Sequence, residues 1–380
     1  MASRADNYDT LIVGGGVIGL SLAWELARQG ETVCLVDCGQ MGKEASWAGA
    51  GMIPAGPEQS QWLQASTFEQ LEGLSQQLQP KWHQALRERT GIDTEYRQCG
   101  TLHLAADAAE ATQIQKQGDR CRELGITCDA LNARQIAKLE PALASQADQF
   151  LNGYYVPSEA QFRSPRLLRA LIAACQMEGV ELRPGVTLER FESSANSLTA
   201  AATSHGPIHA DHYCLAAGCW TGQLAESLGL DLPMRPIRGQ IVLIDGPPGL
   251  FRHNVYVGMR YFTPRLDGRL LIGSTLEDAG FHKENTVSAI ADLMRFATSF
   301  APATAQLPVA QRWAGLRPGT IDNLPYLGRI PHLRNAWLAA GHFRAGLQLA
   351  PVTALVMRCL MRDEDSPIDV SSLGVERSAH

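Results

Sequence analysis

Several familiar signals are missing from this chain of 380 residues. It has no basic run and no acidic tail, and 33 lysines and arginines face 39 aspartates and glutamates, a net charge of −6. A nucleic-acid binder presents a basic face, so that class is set aside. No apolar run has the length of a membrane span: residues 11–22 are interrupted by four glycines and are too short. Residues 1–8 are polar and lack an apolar core, which predicts no secretory signal. The nine cysteines are odd in number, scattered, and contain no C-x-x-C; the nearest pairs are Cys34/Cys38 and Cys214/Cys219. Disulfide frameworks and zinc sites both need tighter patterns, so reduced thiols in a cytoplasmic protein are expected. The ten histidines form no H-E-x-x-H, and no metal is predicted.

What is present is an ordinary globular composition, 45% hydrophobic and 19% charged, long enough for two packed domains. Periodicity predicts a strand at 10–13, a helix at 17–29 and a strand at 32–37, a β-α-β unit opening the chain. An amphipathic stretch follows at 61–89, with Leu63, Leu71, Leu74, Leu78 and Trp82 available for its apolar face. Leu102 and Leu104 alternate with Thr101 and His103 as a half-buried strand. Further helices are predicted at 108–123, 133–139, 164–177, 287–300 and 347–361, with strands at 153–156, near 181 and 186, at 209–217 and at 337–340. Three extended segments, 235–244, 255–264 and 269–275, read as antiparallel. The last two flank the turn signal Leu266-Asp267-Gly268.

Gly14, Gly16 and Gly19 form G-x-G-x-x-G where the first strand ends. The first glycine permits the tight turn, the second lets backbone approach a pyrophosphate, and the third lets helix and strand pack closely. Val17 and Ile18 open the helix whose free N–H groups and positive dipole end face the phosphates. Asp37 closes the second strand 18 residues after Gly19, where a carboxylate accepts from ribose hydroxyls. This unit alone does not separate FAD from NAD. The small-residue run from Ser46 through Ala48, Gly49, Ala50 and Gly51 to Met52 would let backbone pass close to an isoalloxazine ring, although helix packing also uses such runs. Ala217 and Gly218 end a mid-chain strand beside Trp220. The string Gly341, His342, Phe343, Arg344, Ala345, Gly346 joins the last strand to the last helix. A helix N-terminus near Leu347 would stabilise the negative charge that a flavin gathers on reduction.

The glycine fingerprint, the run 46–52, Pro236-Ile237-Arg238-Gly239-Gln240, the stretch 313–320 and Gly341-His342-Phe343-Arg344 together resemble the glycine oxidases of the thiamine pathway. Those enzymes belong to the D-amino-acid oxidase and sarcosine oxidase flavoprotein superfamily. The resemblance runs through the whole chain in order. It implies a mixed α/β fold: a Rossmann-like FAD-binding domain (1–85, 158–230 and 320–380) with an interleaved antiparallel-sheet substrate domain (86–157 and 231–319). It implies that Arg317 holds a substrate carboxylate, that Tyr261 donates to it, that Arg344 sits at the flavin and substrate edge, and that Met52 lines the pocket. Val186 would contribute backbone on the adenine side. A buried carboxylate calls for a planar two-pronged donor, which suits arginine. Two departures are Leu276, where the family has a methionine, expected to alter pocket shape, and Asp37 in place of glutamate.

The implied reaction is FAD-dependent oxidation of a small amino acid by oxygen, giving an imine, then a 2-oxo acid, and hydrogen peroxide. The flavin is expected to be non-covalent, because no cysteine lies between Cys219 and Cys359, where some sarcosine oxidases carry their flavin link. Three alternatives stay open: a dehydrogenase using a quinone or protein acceptor, a 2-hydroxy-acid enzyme, and a flavin-bearing subunit of a larger complex. Self-association into a homo-oligomer is also left open.

Overall fold

The computed structural model describes residues 7–379, so the first six residues of the polar N-terminal stretch lie outside the description. The strand Asn7–Val13, the helix Val17–Ala27 and the strand Val33–Asp37 form the expected β-α-β unit. The inner residues of the two strands, 11–13 and 33–36, are continuous apolar runs because the sheet is covered on both faces. The helix is buried on almost every side, its Leu20, Leu22, Trp24 and Leu26 packing into one core with residues of the helices Ser164–Met177 and Gly346–Met361. Outward from this unit, Val33–Asp37 pairs in parallel with Glu181–Pro184. Asn7–Val13 pairs in parallel with Gly206–Leu215, which pairs in parallel with Ala336–Ala340. Tyr326–Arg329 closes that edge antiparallel, and the hairpin Leu188–Ser194/Ser197–Thr203 extends the first half of Gly206–Leu215.

A nine-stranded mixed sheet makes the second layer. Its long strand Arg235–Asp245 pairs with Val309–Gly319 on one side and with Arg269–Gly273 and Glu277–Asp278 on the other. The sheet continues through Arg260–Pro264 and Asn254–Val257 to Thr101–Ala105 and Asn152–Val156, with one parallel pairing, Asn254–Val257 against Thr101–Ala105. Alternation gives the sheet two different faces. Val242, Ile244, Phe262 and Ile272 pack on Leu293 and Phe296 of the helix Val287–Phe300. Ile241, Leu243, Tyr261 and Leu271 point the other way, towards Ala50 and Met52. A one-residue slip in register would exchange these sets, so the core face of this sheet also fixes which side chains reach the site.

Helices Ala108–Glu123, Ala133–Leu139, Ser164–Met177 and Val287–Phe300 have the expected bounds. Two expectations fail for local reasons. The stretch 61–89 breaks into the 3-10 helix Gln59–Gln64 and the helix Thr67–Thr90, because Ser66 and Glu69 form a capping box that starts a new helix. Leu63 consequently lies fully exposed, not on an apolar face. The segment 255–264 is two strands, since Gly258, at φ +54°, and Met259 turn the chain and pair Tyr256 with Tyr261. Val186 lies in the connection between the strands Glu181–Pro184 and Leu188–Ser194, not in a strand. Among the described residues no helix is long and apolar enough to cross a membrane.

Candidate active site

Two cavities share a wall at the junction of the layers. The first, of about 380 Å³, runs along the C-terminal ends of the parallel strands. Gly14, Gly16, Val17, Ile18, Asp37 and Ser46 line one side, and Val186, Ala217, Gly218 and Trp220 another. Gly341, His342, Arg344, Gly346 and Leu347 close it from the last strand and helix. The three motif glycines divide their duties. A Cβ on Gly14 would overlap the Ala216 carbonyl, and one on Gly19 would overlap the Gly14 carbonyl, so both are demanded by the fold itself. A Cβ on Gly16 would meet only Ser46 Oγ, at 3.3 Å, so the space before it is free for a phosphate. The Asp37 carboxylate accepts from Gly15 N at 2.8 Å and Gly39 N at 2.7 Å, which fixes it at the groove with acceptor capacity to spare. An open glycine turn, a helix N-terminus and a fixed acid are the parts a dinucleotide needs.

The second cavity, of about 330 Å³, lies between the mixed sheet and two helices. Ala48 lines it from the end of the short helix Ala45–Ala48, Gly49, Ala50 and Gly51 from the loop that follows and Met52 from the strand Met52–Ile53, and Ala45, Gly49, Arg317, Arg344 and Leu347 border both cavities. Arg317 is half-buried and has no ion-pair partner among the described residues. Its Nη2 donates to Ser274 Oγ at 2.7 Å and its Nη1 to the Thr275 carbonyl at 3.2 Å. Burial lowers its pKa, Arg344 adds to that, and the Tyr261 hydroxyl opposes it. Tyr261 is buried, its hydroxyl pKa raised by that burial and restrained by Arg317 and a hydrogen bond with Ser274. Tyr256 stands edge-on to it, with ring centroids 5.7 Å apart. A Cβ on Gly239 would occupy the space of the Arg317 guanidinium, and one on Gly273 that of the Tyr261 ring. The site is therefore a cation and two phenols held rigidly against a chamber, suited to a small carboxylate.

The match to proteins of known kind agrees with this chemistry. Residues 9–360 match the family model described as FAD dependent oxidoreductase. The chain belongs to that family. It is 36% identical over 362 residues to a glycine oxidase of Pseudomonas aeruginosa, covering 94% of this chain and 96% of that protein. The crystal structure of glycine oxidase from Geobacillus kaustophilus superposes with a TM-score of 0.92 at 31% identity, covering 98% of this chain and 99% of that one. A bifunctional protein ThiO/ThiG of Trichormus variabilis is 32% identical over 95% of this chain, which spans 54% of that longer protein. The protein is an FAD-dependent oxidoreductase of mixed α/β fold, and FAD is its cofactor.

Within this family frame, most residues singled out from the sequence lie on one of the two cavities. Three do something more local. Gly19 lines neither cavity and serves helix–strand packing. The His342 ring turns away to Thr353 Oγ1 at 3.0 Å, and burial drives its pKa down to about 3, so it is neutral and offers the groove its backbone. Ala48 gives its carbonyl to Trp313 Nε1 at 3.0 Å, which pins the loop to the sheet. Leu276 is a correction: it is 56% exposed and lines neither cavity, so its departure from the family pattern does not reshape the pocket. The sequence reading missed Tyr256, which needed the turn at Gly258, and Arg265, which lies beside a recognised turn. Buried Arg265 donates to the Ala50 carbonyl at 2.6 Å, the Phe162 carbonyl at 2.9 Å and Gln161 Oε1 at 2.7 Å, holding the loop 46–52 in place. It missed Glu72 as well, because an acid on an amphipathic helix reads as solvated surface.

Proposed function

We propose that the protein oxidises glycine or another small amino acid at its α-carbon, giving an imine that water hydrolyses to a 2-oxo acid with release of ammonia or an amine, while oxygen is reduced to hydrogen peroxide. The observation that carries this reading is Arg317, a confined guanidinium without an acid partner, bordering both the cofactor groove and the chamber. Arg317 grips the substrate carboxylate with parallel N–H donors while Tyr261 adds a hydroxyl donor, and together they orient the α-carbon towards the junction of the cavities. Bound FAD supplies a two-electron acceptor that oxygen regenerates with release of peroxide. Arg344 has no hydrogen-bond or ion-pair partner among the described residues, and it edges the same junction. The helix beginning at Gly346 brings its free N–H groups and positive dipole end there, and Met52 closes the wall. Gly14, Gly16, Val17, Ile18, Asp37, Ser46 and Val186 hold the dinucleotide, and Ala217, Gly218, Trp220 and the turn 341–346 flank it.

The product imine of glycine suits thiazole formation in thiamine synthesis, a role supported by the likeness to the ThiO/ThiG protein. Nine free cysteines support a cytoplasmic setting. Peroxide release from the purified protein across glycine, sarcosine and both enantiomers of small amino acids tests the reading. Turnover of glycine, sarcosine or small D-amino acids supports it. Turnover of a large L-amino acid with none of glycine overturns it, as does full reduction of the flavin by glycine without peroxide on admitting oxygen.

A further inference from the structure

The chamber holds a second ionisable group without an oppositely charged partner among the described residues. Glu72, on the helix Thr67–Thr90, lines the same cavity as Arg317 but comes from the helical wall, with Phe68 and Gln348, while Arg317 and Tyr261 come from the sheet. Its hydrogen bond is to Gln348 Nε2 at 3.2 Å, and no cation pairs with it among the described residues. The nearby acids are already engaged, Glu69 with Arg120 at 2.8 Å and Glu159 with His103 at 3.2 Å. Burial, reinforced by those two carboxylates and opposed by Gln348, pushes the Glu72 carboxyl up to about 8. An acid on a helix normally sits in water; this one is confined beside a cavity with one amide for company.

A single chamber therefore carries a guanidinium without an acid at one wall and a carboxyl without a base at another. We propose that Glu72, braced by Gln348, is a specificity residue that receives a cationic or hydrogen-bond-donating group at the end of the ligand remote from its carboxylate. The favoured class is an amino acid with an amine-bearing tail, its carboxylate on Arg317 and its tail on Glu72. This rests on the carboxylate role of Arg317 proposed above.

Binding tests it without turnover. Two matched pairs of acids that lack an α-amine serve as probes: 5-aminopentanoate with hexanoate, and 4-aminobutanoate with pentanoate. Each is titrated into the FAD-loaded protein and followed by the flavin difference spectrum. The amine-tailed member of at least one pair should bind about tenfold tighter, the equivalent of roughly 1.4 kcal/mol. Glu72→Gln should erase that preference and Glu72→Asp should retain part of it. Absence of the preference in the wild type overturns the proposal, which needs no variant to fold. So does its survival in Glu72→Gln, or a changed flavin spectrum in ligand-free Glu72→Gln, which would assign the residue to the cofactor. A protein that shows the preference but oxidises no amino acid refutes the proposed reaction and leaves Glu72 as a ligand residue. If no acid of either pair binds, the carboxylate role of Arg317 and the proposal fall together.

Discussion

The cofactor groove and the substrate chamber share a wall, but different parts of the chain's chemistry build them. The groove is made chiefly of backbone: glycine turns, small side chains and helix N-termini, grouped in a few short stretches. The chamber is made of side chains brought from the mixed sheet, the loop 46–52 and two helices far apart in sequence. Backbone sites are specified by what must be absent, a Cβ, whereas side-chain sites are specified by convergence. Substitutions should therefore divide into those that empty the groove and those that blunt the chamber.

Gly16→Val should have the largest effect, because its side chain enters the phosphate space. The flavin absorbance relative to protein should fall to background while far-UV circular dichroism stays native-like. Full flavin occupancy would place the nucleotide elsewhere. Arg317→Ala should do the opposite, keeping its flavin and losing kcat/KM by roughly thirty-fold to several-thousand-fold, on the order of 2–5 kcal/mol for an unpaired carboxylate. Arg317→Lys should recover only part, and an amine without a carboxylate should react equally poorly with wild type and mutant. Equal losses on both substrates would break the contrast between the two cavities.

Gly239→Ala sharpens the comparison, since it adds a methyl where the Arg317 guanidinium lies and leaves the groove untouched. A displaced guanidinium should lower kcat/KM by about ten- to a hundred-fold with normal flavin content. A flavin-free Gly239→Ala protein would show that the shared wall does not insulate one cavity from the other. The groove should also release its cofactor intact. The groove-lining thiol of Cys219 is buried, donates to the Leu316 carbonyl at 3.2 Å and is pushed up to about 12, far from a reactive thiolate. Acid precipitation should leave the yellow colour in the supernatant; a pellet that stays yellow after washing counts against this.

The smallest effect concerns pH. His83 and His342 are both buried, and burial lowers each to about 3. The unfolded chain takes up protons at both sites below the ordinary value of 6.5, while the folded chain does not. Stability from these groups is thus complete above about 6.5 and is lost as the pH falls towards about 3. The melting temperature should decline through that window, and His83→Gln should flatten part of the slope. A flat profile would mean that neither histidine is held neutral.

Much of this was legible without coordinates, for identifiable reasons. The β-α-β unit declared itself because its glycines, apolar strands and closing acid are adjacent in the chain. Four helices had their bounds readable from periodicity and caps. Arg317, Tyr261, Arg344 and Met52 were singled out by resemblance, and they converge on one chamber. Tyr256 was hidden by a two-residue turn at Gly258 inside an apparently continuous strand. Leu63 was misjudged because the box of Ser66 and Glu69 restarted the helix.

What the sequence by itself determined is therefore the local grammar: where backbone must pass close to a phosphate, which segments alternate, and where helices begin. Only the tertiary structure decided that Glu72 faces a cavity and not water, that Leu276 lies outside the pocket, and that Arg265 props the loop 46–52 from a distant hairpin. Those facts depend on which faces of separate elements meet. Strand register and layer packing set that meeting, through contacts between residues separated by up to a few hundred positions.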